Sequence, residues 1–189
     1  MKTGPQRNAR RGAAQGRRGL SLVEVMLAMS VLAFAFLAMS QSLIGSMKLT
    51  ASSREQAIAT NGFRDQLEVL QGAEDFEELF ALYNSNPDDD PEGPGTAPGP
   101  NFAVEGLDVL PGDPDGMVGQ IFFPTIAGRL REDGADEGFT TPRDLNGDGV
   151  IDGASHDTDY LMLPVLLRLS WKGSGPESQA EVRTILTDR

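Results

Sequence analysis

Residues 16–39 read G-R-R-G-L-S-L-V-E-V-M-L-A-M-S-V-L-A-F-A-F-L-A-M, and this segment constrains the chain more than any other. A basic stretch closes on Gly19, and the apolar run that follows is broken by one carboxylate, Glu24. From Val25 to Met47 there is no charged residue. About 20 apolar residues in a helix cross a bilayer. An acid inside such a segment costs about 2.5–3.5 kcal/mol at the bilayer centre and less near its end, so Glu24 asks for a reason. A secretory signal peptide has an apolar region of about 7–15 residues, which is too short to describe this run. A plain signal anchor accounts for the length but leaves Gly19 and Glu24 unexplained.

Charge divides the chain in the same place. Residues 1–19 hold six of the 16 basic residues (Lys2, Arg7, Arg10, Arg11, Arg17, Arg18) and none of the 28 acids. Positive charge beside an apolar helix keeps that flank in the cytoplasm. Without the leader, 10 bases face 28 acids, a formal charge of −18 against −12 for the whole chain. So acidic a remainder is unsuited to nucleic acid, which requires a basic face to displace phosphate counterions. No cysteine occurs, so no disulfide braces the loops.

Basic leader, Gly19, Leu20 as first mature residue and Glu24 at mature position five together resemble the prepilin N-terminus of type IV pilins, minor pilins and type II secretion pseudopilins. The resemblance covers about 30 of 189 residues. It implies cleavage after Gly19 by prepilin peptidase, methylation of Leu20, and assembly with other pilin or pseudopilin subunits through the helix. In that assembly Glu24 pairs with a neighbouring subunit's N-terminal amine. It further implies a single-pass protein of the bacterial inner membrane with its head in the periplasm, which later joins a pilus or periplasmic pseudopilus. Many major pilins close a C-terminal loop with a disulfide; this chain departs from that pattern.

The remaining chain reads as an α+β, pilin-like fold. One helix is expected from about Ser21 to Gln71, on the order of 75 Å long at 1.5 Å per residue. Residues 20–48 form its transmembrane and assembly half, and residues 49–72 its amphipathic half, with Ala59, Phe63, Leu67 and Leu70 on one face. Gly62 is a weak point and Gly72 a stop. Residues 73–189 form an acidic head. Phe76, Leu79, Phe80 and Tyr83 predict a short helix over Asp75–Tyr83, and the proline- and acid-rich stretch Ser85–Pro100 predicts a mobile loop without regular structure. Strands are expected at Asn101–Leu107, Val118–Phe123, Asp159–Trp171 and 179–187, the last two forming a hairpin across the turn Gly173–Pro176, with Pro164 marking an edge or bulge. These four build an antiparallel sheet laid on the amphipathic helix half.

The second informative stretch is Asp144-Leu-Asn146-Gly-Asp148-Gly149-Val150-Ile151-Asp152. It resembles the start of an EF-hand calcium loop, with oxygen ligands at Asp144, Asn146 and Asp148, a glycine at position six and the Val150 carbonyl at seven. Ile151 is expected to pack inward, and Asp152 to supply a direct or water-bridged contact. Position twelve is Ser155, not glutamate, so Asp157 or Asp159 is the expected substitute. Ca2+ there would brace the stretch from Gly128 to Asp159; an Asp/Asn/Gly turn without metal is the competing reading. His156, the only histidine, reads as an exposed loop residue, and with no cysteine no ordinary zinc site or nucleophile–base pair is apparent. Gly112–Gly116 reads as a turn, and Trp171 as core or rim packing. The expected function is therefore structural rather than enzymatic: a minor pilin of a type IV pilus-like filament, alternatively a type II secretion pseudopilin. The rival of another class is a signal-anchored periplasmic calcium-binding or adhesive module.

Overall fold

The computed structural model describes residues 21–134, 139, 142–174 and 177–188. The leader, with Gly19 and Leu20, lies outside the described residues. The chain comprises two compact units, Met1–Gly45 and Ser46–Arg189.

Helix α1 runs Leu22–Gln71, within a residue of the expected span. In its first part the apolar side chains are exposed, Leu22, Phe34 and Phe36 each by more than 70 %. Ser30 and Ser40 donate their hydroxyls to the carbonyls of Met26 and Phe36, both at 2.9 Å. That satisfies a polar side chain without water, as a helix in lipid requires. This helix is long and apolar enough to cross a membrane.

In the second unit, the helix buries Ala59, Gly62, Phe63 and Leu70, the face expected from the periodicity, with Leu67 packed at its margin. Gly62 is more than a weak point in the helix. A Cβ there would lie 2.7 Å from both Val104 methyl carbons, so the glycine permits close approach of the 102–107 segment. The Gly72 amide donates to the Glu68 carbonyl at 2.9 Å and the helix ends there.

Among the described residues six strands follow: β1 Asn101–Phe102, β2 Gly119–Phe122, β3 Thr125–Ile126, β4 Arg129–Leu130, β5 Met162–Lys172 and β6 Glu177–Thr187. Four form an antiparallel sheet in the order β1-β2-β5-β6. Central β5 supplies Leu163, Val165, Leu167 and Leu169, all fully buried, to a core shared with Ala59, Phe63 and Leu70. Pro164 sits where β5 pairs with β6 alone, because β2 reaches only as far as Leu166. The missing amide therefore faces no partner strand. Along β6, Ala180, Val182 and Leu186 turn inward while Glu181, Arg183 and Thr187 stay exposed, the alternation of a half-buried strand.

Three expectations are corrected. The first strand is two residues long instead of seven, since the chain turns at Gly106, with φ +90°. The second helix, α2, covers only Leu79–Tyr83. The hydroxyl of buried Tyr160 enters the place of a helical bond: it donates to the Phe76 carbonyl at 2.6 Å and accepts the Phe80 amide at 3.0 Å. The ring of Tyr160 meets that of Phe76 edge-on at 5.2 Å. The acidic stretch Ser85–Pro100 does contain regular structure. Pro87–Asp89 form a 3-10 turn capped by Asn86, the Pro87 carbonyl accepts the Gly95 amide at 3.1 Å, and Asp90 accepts the Ala97 amide at 3.1 Å. Its acids and asparagines bond their own backbone, which the composition does not reveal.

Candidate functional site

Of the processing and assembly residues, Glu24 is described. It lies in the first turn of α1 and is exposed. An acid at this end of a helix faces the unpaired amides and the positive end of the helix dipole. A transmembrane-length stretch follows it without another charge as far as Lys48.

The loop at residues 144–152 is built by its own side chains. Asp144 accepts the Gly147 amide at 2.6 Å and the Gly149 amide at 2.8 Å. Asn146 accepts the Asp148 amide at 3.0 Å, and Asp148 accepts that of Val150 at 2.7 Å. Gly147 and Gly149 take φ of +78° and +85°, a region that side chains with Cβ rarely enter. The turn thus has the backbone form that the glycine spacing predicts. Ile151, however, is half exposed and does not pack inward. The residue that anchors the loop to the core is its neighbour Leu145, fully buried, whose carbonyl accepts the Leu161 and Met162 amides at 2.8 and 3.0 Å.

Neither expected substitute for position twelve joins this loop. Asp157 turns to Arg129 at 2.8 Å and to the Leu130 amide at 2.7 Å. Burial pushes its pKa up, but the Arg129 hydrogen bond, with those of Ser155 and Leu130, outweighs it and holds the carboxyl below its ordinary value. Asp159 faces His156.

A residue that sequence reasoning missed holds the loop instead. Glu132 is fully buried. Its Oε1 accepts the Leu145 and Asn146 amides at 2.5 and 3.3 Å, and its Oε2 accepts the Asp152 amide at 3.2 Å. The stretch from Gly128 to Asp159 is therefore already braced by a buried carboxylate. Nothing in the sequence announces this: Glu132 stands between Arg131 and Asp133 in a charged run, the ordinary pattern of a solvated loop.

His156 is likewise corrected: it is 4 % exposed, not an exposed loop residue. Its amide donates to the Leu130 carbonyl at 2.9 Å. Nδ1 lies 3.1 Å from Asp159 Oδ1, and Nε2 lies 3.4 Å from Asp152 Oδ1 and 3.8 Å from Glu132 Oε2. Burial lowers the imidazole pKa, but the charges of Glu132 and Asp159, the bond to Asp159 and the approach of Asp152 outweigh it, so the net direction is up. Among the described residues, Glu132, Asp152 and His156 bring one ligand atom each to within 4.8 Å of one another. Of the expected calcium ligands, that group contains Asp152 alone.

Trp171 is buried, and its indole donates to Glu55 at 3.4 Å, in keeping with packing. In Gly112–Gly116, Asp113 and Asp115 accept the amides of Asp115 and Met117, the bonding of a turn.

The family model described as the prokaryotic N-terminal methylation motif matches residues 15–40. No curated protein and no solved structure matches the chain. The match spans Gly19, Leu20 and Glu24 and the start of α1, and the head lies outside it. The chain therefore carries the N-terminal methylation motif of type IV pilin-like proteins, followed by the long apolar helix and small antiparallel sheet of a pilin-like layout.

Proposed function

We propose that the chain is a minor pilin, a structural subunit of a type IV pilus-like filament. It is inserted in the bacterial inner membrane with its head in the periplasm, cut after Gly19 by prepilin peptidase, and methylated on Leu20. Assembly with other pilin subunits follows through the apolar part of α1. The observation that carries this reading is the methylation motif at residues 15–40 leading directly into a helix whose apolar side chains are exposed. Such a surface is stable in lipid or against like helices, and not in water. Within the pilin class, the start Leu-Val-Glu-Val-Met-Leu-Ala and the stretch Arg-Glu-Gln-Ala-Ile-Ala-Thr-Asn favour a minor pilin over a pseudopilin.

Gly19→Arg should block processing, because the peptidase must bring the backbone against its membrane-level site and a long charged side chain stands in the way. Coexpression with a prepilin peptidase and a blot reads this directly: the variant is expected to remain at the size of the precursor. Efficient conversion of the variant to the shorter band would overturn the assignment of the cleavage site.

The head is further proposed to bind one Ca2+ through Asp144, Asn146, Asp148, the Val150 carbonyl and Asp152. The positive-φ glycines and exposed oxygens of the turn support this. Since neither Asp157 nor Asp159 completes the site, affinity should be low, about 10⁻⁴–10⁻³ M. A tenfold excess over Kd would then add about 1.4 kcal/mol of stability. Melting the full chain in detergent with millimolar calcium or chelator checks this, with Asp144→Ala plus Asp148→Ala expected to remove the difference. Equal melting temperatures for the unaltered chain in both buffers would show that the motif is a turn only.

A further inference from the structure

One imidazole nitrogen and two carboxylates converge beneath the 144–152 loop. His156 Nε2 is buried and is the buried side-chain atom without a hydrogen-bond partner among the described residues. It faces Asp152 Oδ1 at 3.4 Å and Glu132 Oε2 at 3.8 Å. On the other side of the ring, Nδ1 faces both oxygens of Asp159, at 3.1 and 3.3 Å. A carboxylate there accepts a proton from Nδ1, and that assignment leaves the Nε2 lone pair directed at the other two acids.

The distances discriminate between the two cations that can occupy such a gap. A proton on Nε2 would make a charge-assisted bond of about 2.7–2.9 Å to a carboxylate. The observed 3.4 Å is longer, and Nε2 is without a hydrogen bond. An ion with ligands at about 2.0–2.1 Å in tetrahedral array separates its donor atoms by about 3.3–3.4 Å. The 3.4 Å between Nε2 and Asp152 suits the ion, and Glu132, 3.8 Å from Nε2, would have to close by a few tenths of an ångström on binding.

We infer that Glu132, Asp152 and His156 form a site for a divalent first-row transition cation, of which Zn2+ fits best. One imidazole and two carboxylates are too few donors for Ca2+, which takes six to eight oxygens, whereas imidazole suits zinc and its neighbours. The donors are held in place beforehand. Glu132 is fixed by the amides of Leu145, Asn146 and Asp152, and Asp152 Oδ1 also accepts the Ala154 amide at 2.7 Å. Asp159 orients the imidazole as an outer-sphere carboxylate does for a metal-bound histidine. The Asp152 side chain is 49 % exposed, which leaves a path for the ion and a fourth position for water. This site shares only Asp152 with the proposed calcium turn and is independent of the filament reading.

The test uses the full chain in detergent, stripped with a chelator, with Co2+ as the spectroscopic probe and Zn2+ as competitor. The unaltered chain should develop visible cobalt absorption at one equivalent, displaced by one equivalent of Zn2+, together with a Zn2+-dependent rise in melting temperature. His156→Gln should abolish the absorption, and exposed Asp152→Asn should weaken binding at least tenfold. Asp159→Asn should weaken it about 10–100-fold. Asp148→Asn, in the calcium turn, should leave zinc binding unchanged while removing any calcium response. Absence of both the cobalt band and the zinc-dependent melting shift in the unaltered chain would overturn the proposal. So would undiminished binding in Asp152→Asn, a substitution at a half-exposed side chain that does not depend on the buried histidine for folding.

Discussion

Glu24→Ala should leave the chain inserted and processed but reduce its recovery in sheared filaments by about a hundredfold. Removing an acid makes the segment a better membrane helix, so insertion does not suffer. Cleavage depends on the leader and Gly19, which lie upstream of Glu24 in the chain. In the filament the carboxylate is proposed to sit among apolar helices opposite a neighbour's N-terminal amine. Deleting one partner of a buried charge pair costs about 3–5 kcal/mol, because the other charge is left uncompensated. The lower figure corresponds to a factor of roughly 10² in an association constant. Quantitative blotting of sheared and membrane fractions reads the split. Equal amounts of variant and unaltered chain in the sheared fraction would remove Glu24 from assembly.

Glu132→Ala should lower the stability of the head by about 3 kcal/mol in the presence of chelator, when no cation contributes. It deprives the amides of Leu145, Asn146 and Asp152 of their acceptor. A buried donor left unsatisfied costs about 1–3 kcal/mol, and the three are too close to add fully. For a unit of this size 1 kcal/mol corresponds to about 2–4 °C, so the melting temperature should fall by about 6–12 °C. Glu132→Gln keeps one carbonyl oxygen and should recover part of the loss. A fall below about 2 °C in the alanine variant would show that the loop does not hang on this carboxylate.

The elements legible in the sequence were those governed by local periodicity. Ala59, Phe63, Leu67 and Leu70 recur on one helical face, and that face is the one packed on the sheet. Val182, Thr184 and Leu186 alternate in the sequence with Glu181, Arg183 and Ile185, and the first set is the less exposed side of β6. The antiparallel sheet and its β5–β6 hairpin were also legible, but individual side-chain contacts between distant residues were not. Tyr160 interrupts the second helix from 80 residues away, and nothing near Phe76 announces it. The β3–β4 hairpin turns through Ala127 and Gly128, both at positive φ, a conformation for which an alanine is a poor signal. The turn at Asp144–Gly149 was readable from its glycines, yet its support was not. Glu132 and His156 gain meaning only when residues 13 to 24 positions apart are folded together.

The mature N-terminus is the most direct test of the pilin-like account. The chain, expressed in full with a prepilin peptidase and recovered from the membrane, should show by intact mass and N-terminal peptide analysis a loss of residues 1–19 and one added methyl group on Leu20. Recovery of the chain with its leader intact at Met1, under conditions in which a known prepilin is processed, would contradict the account and favour a plain signal anchor.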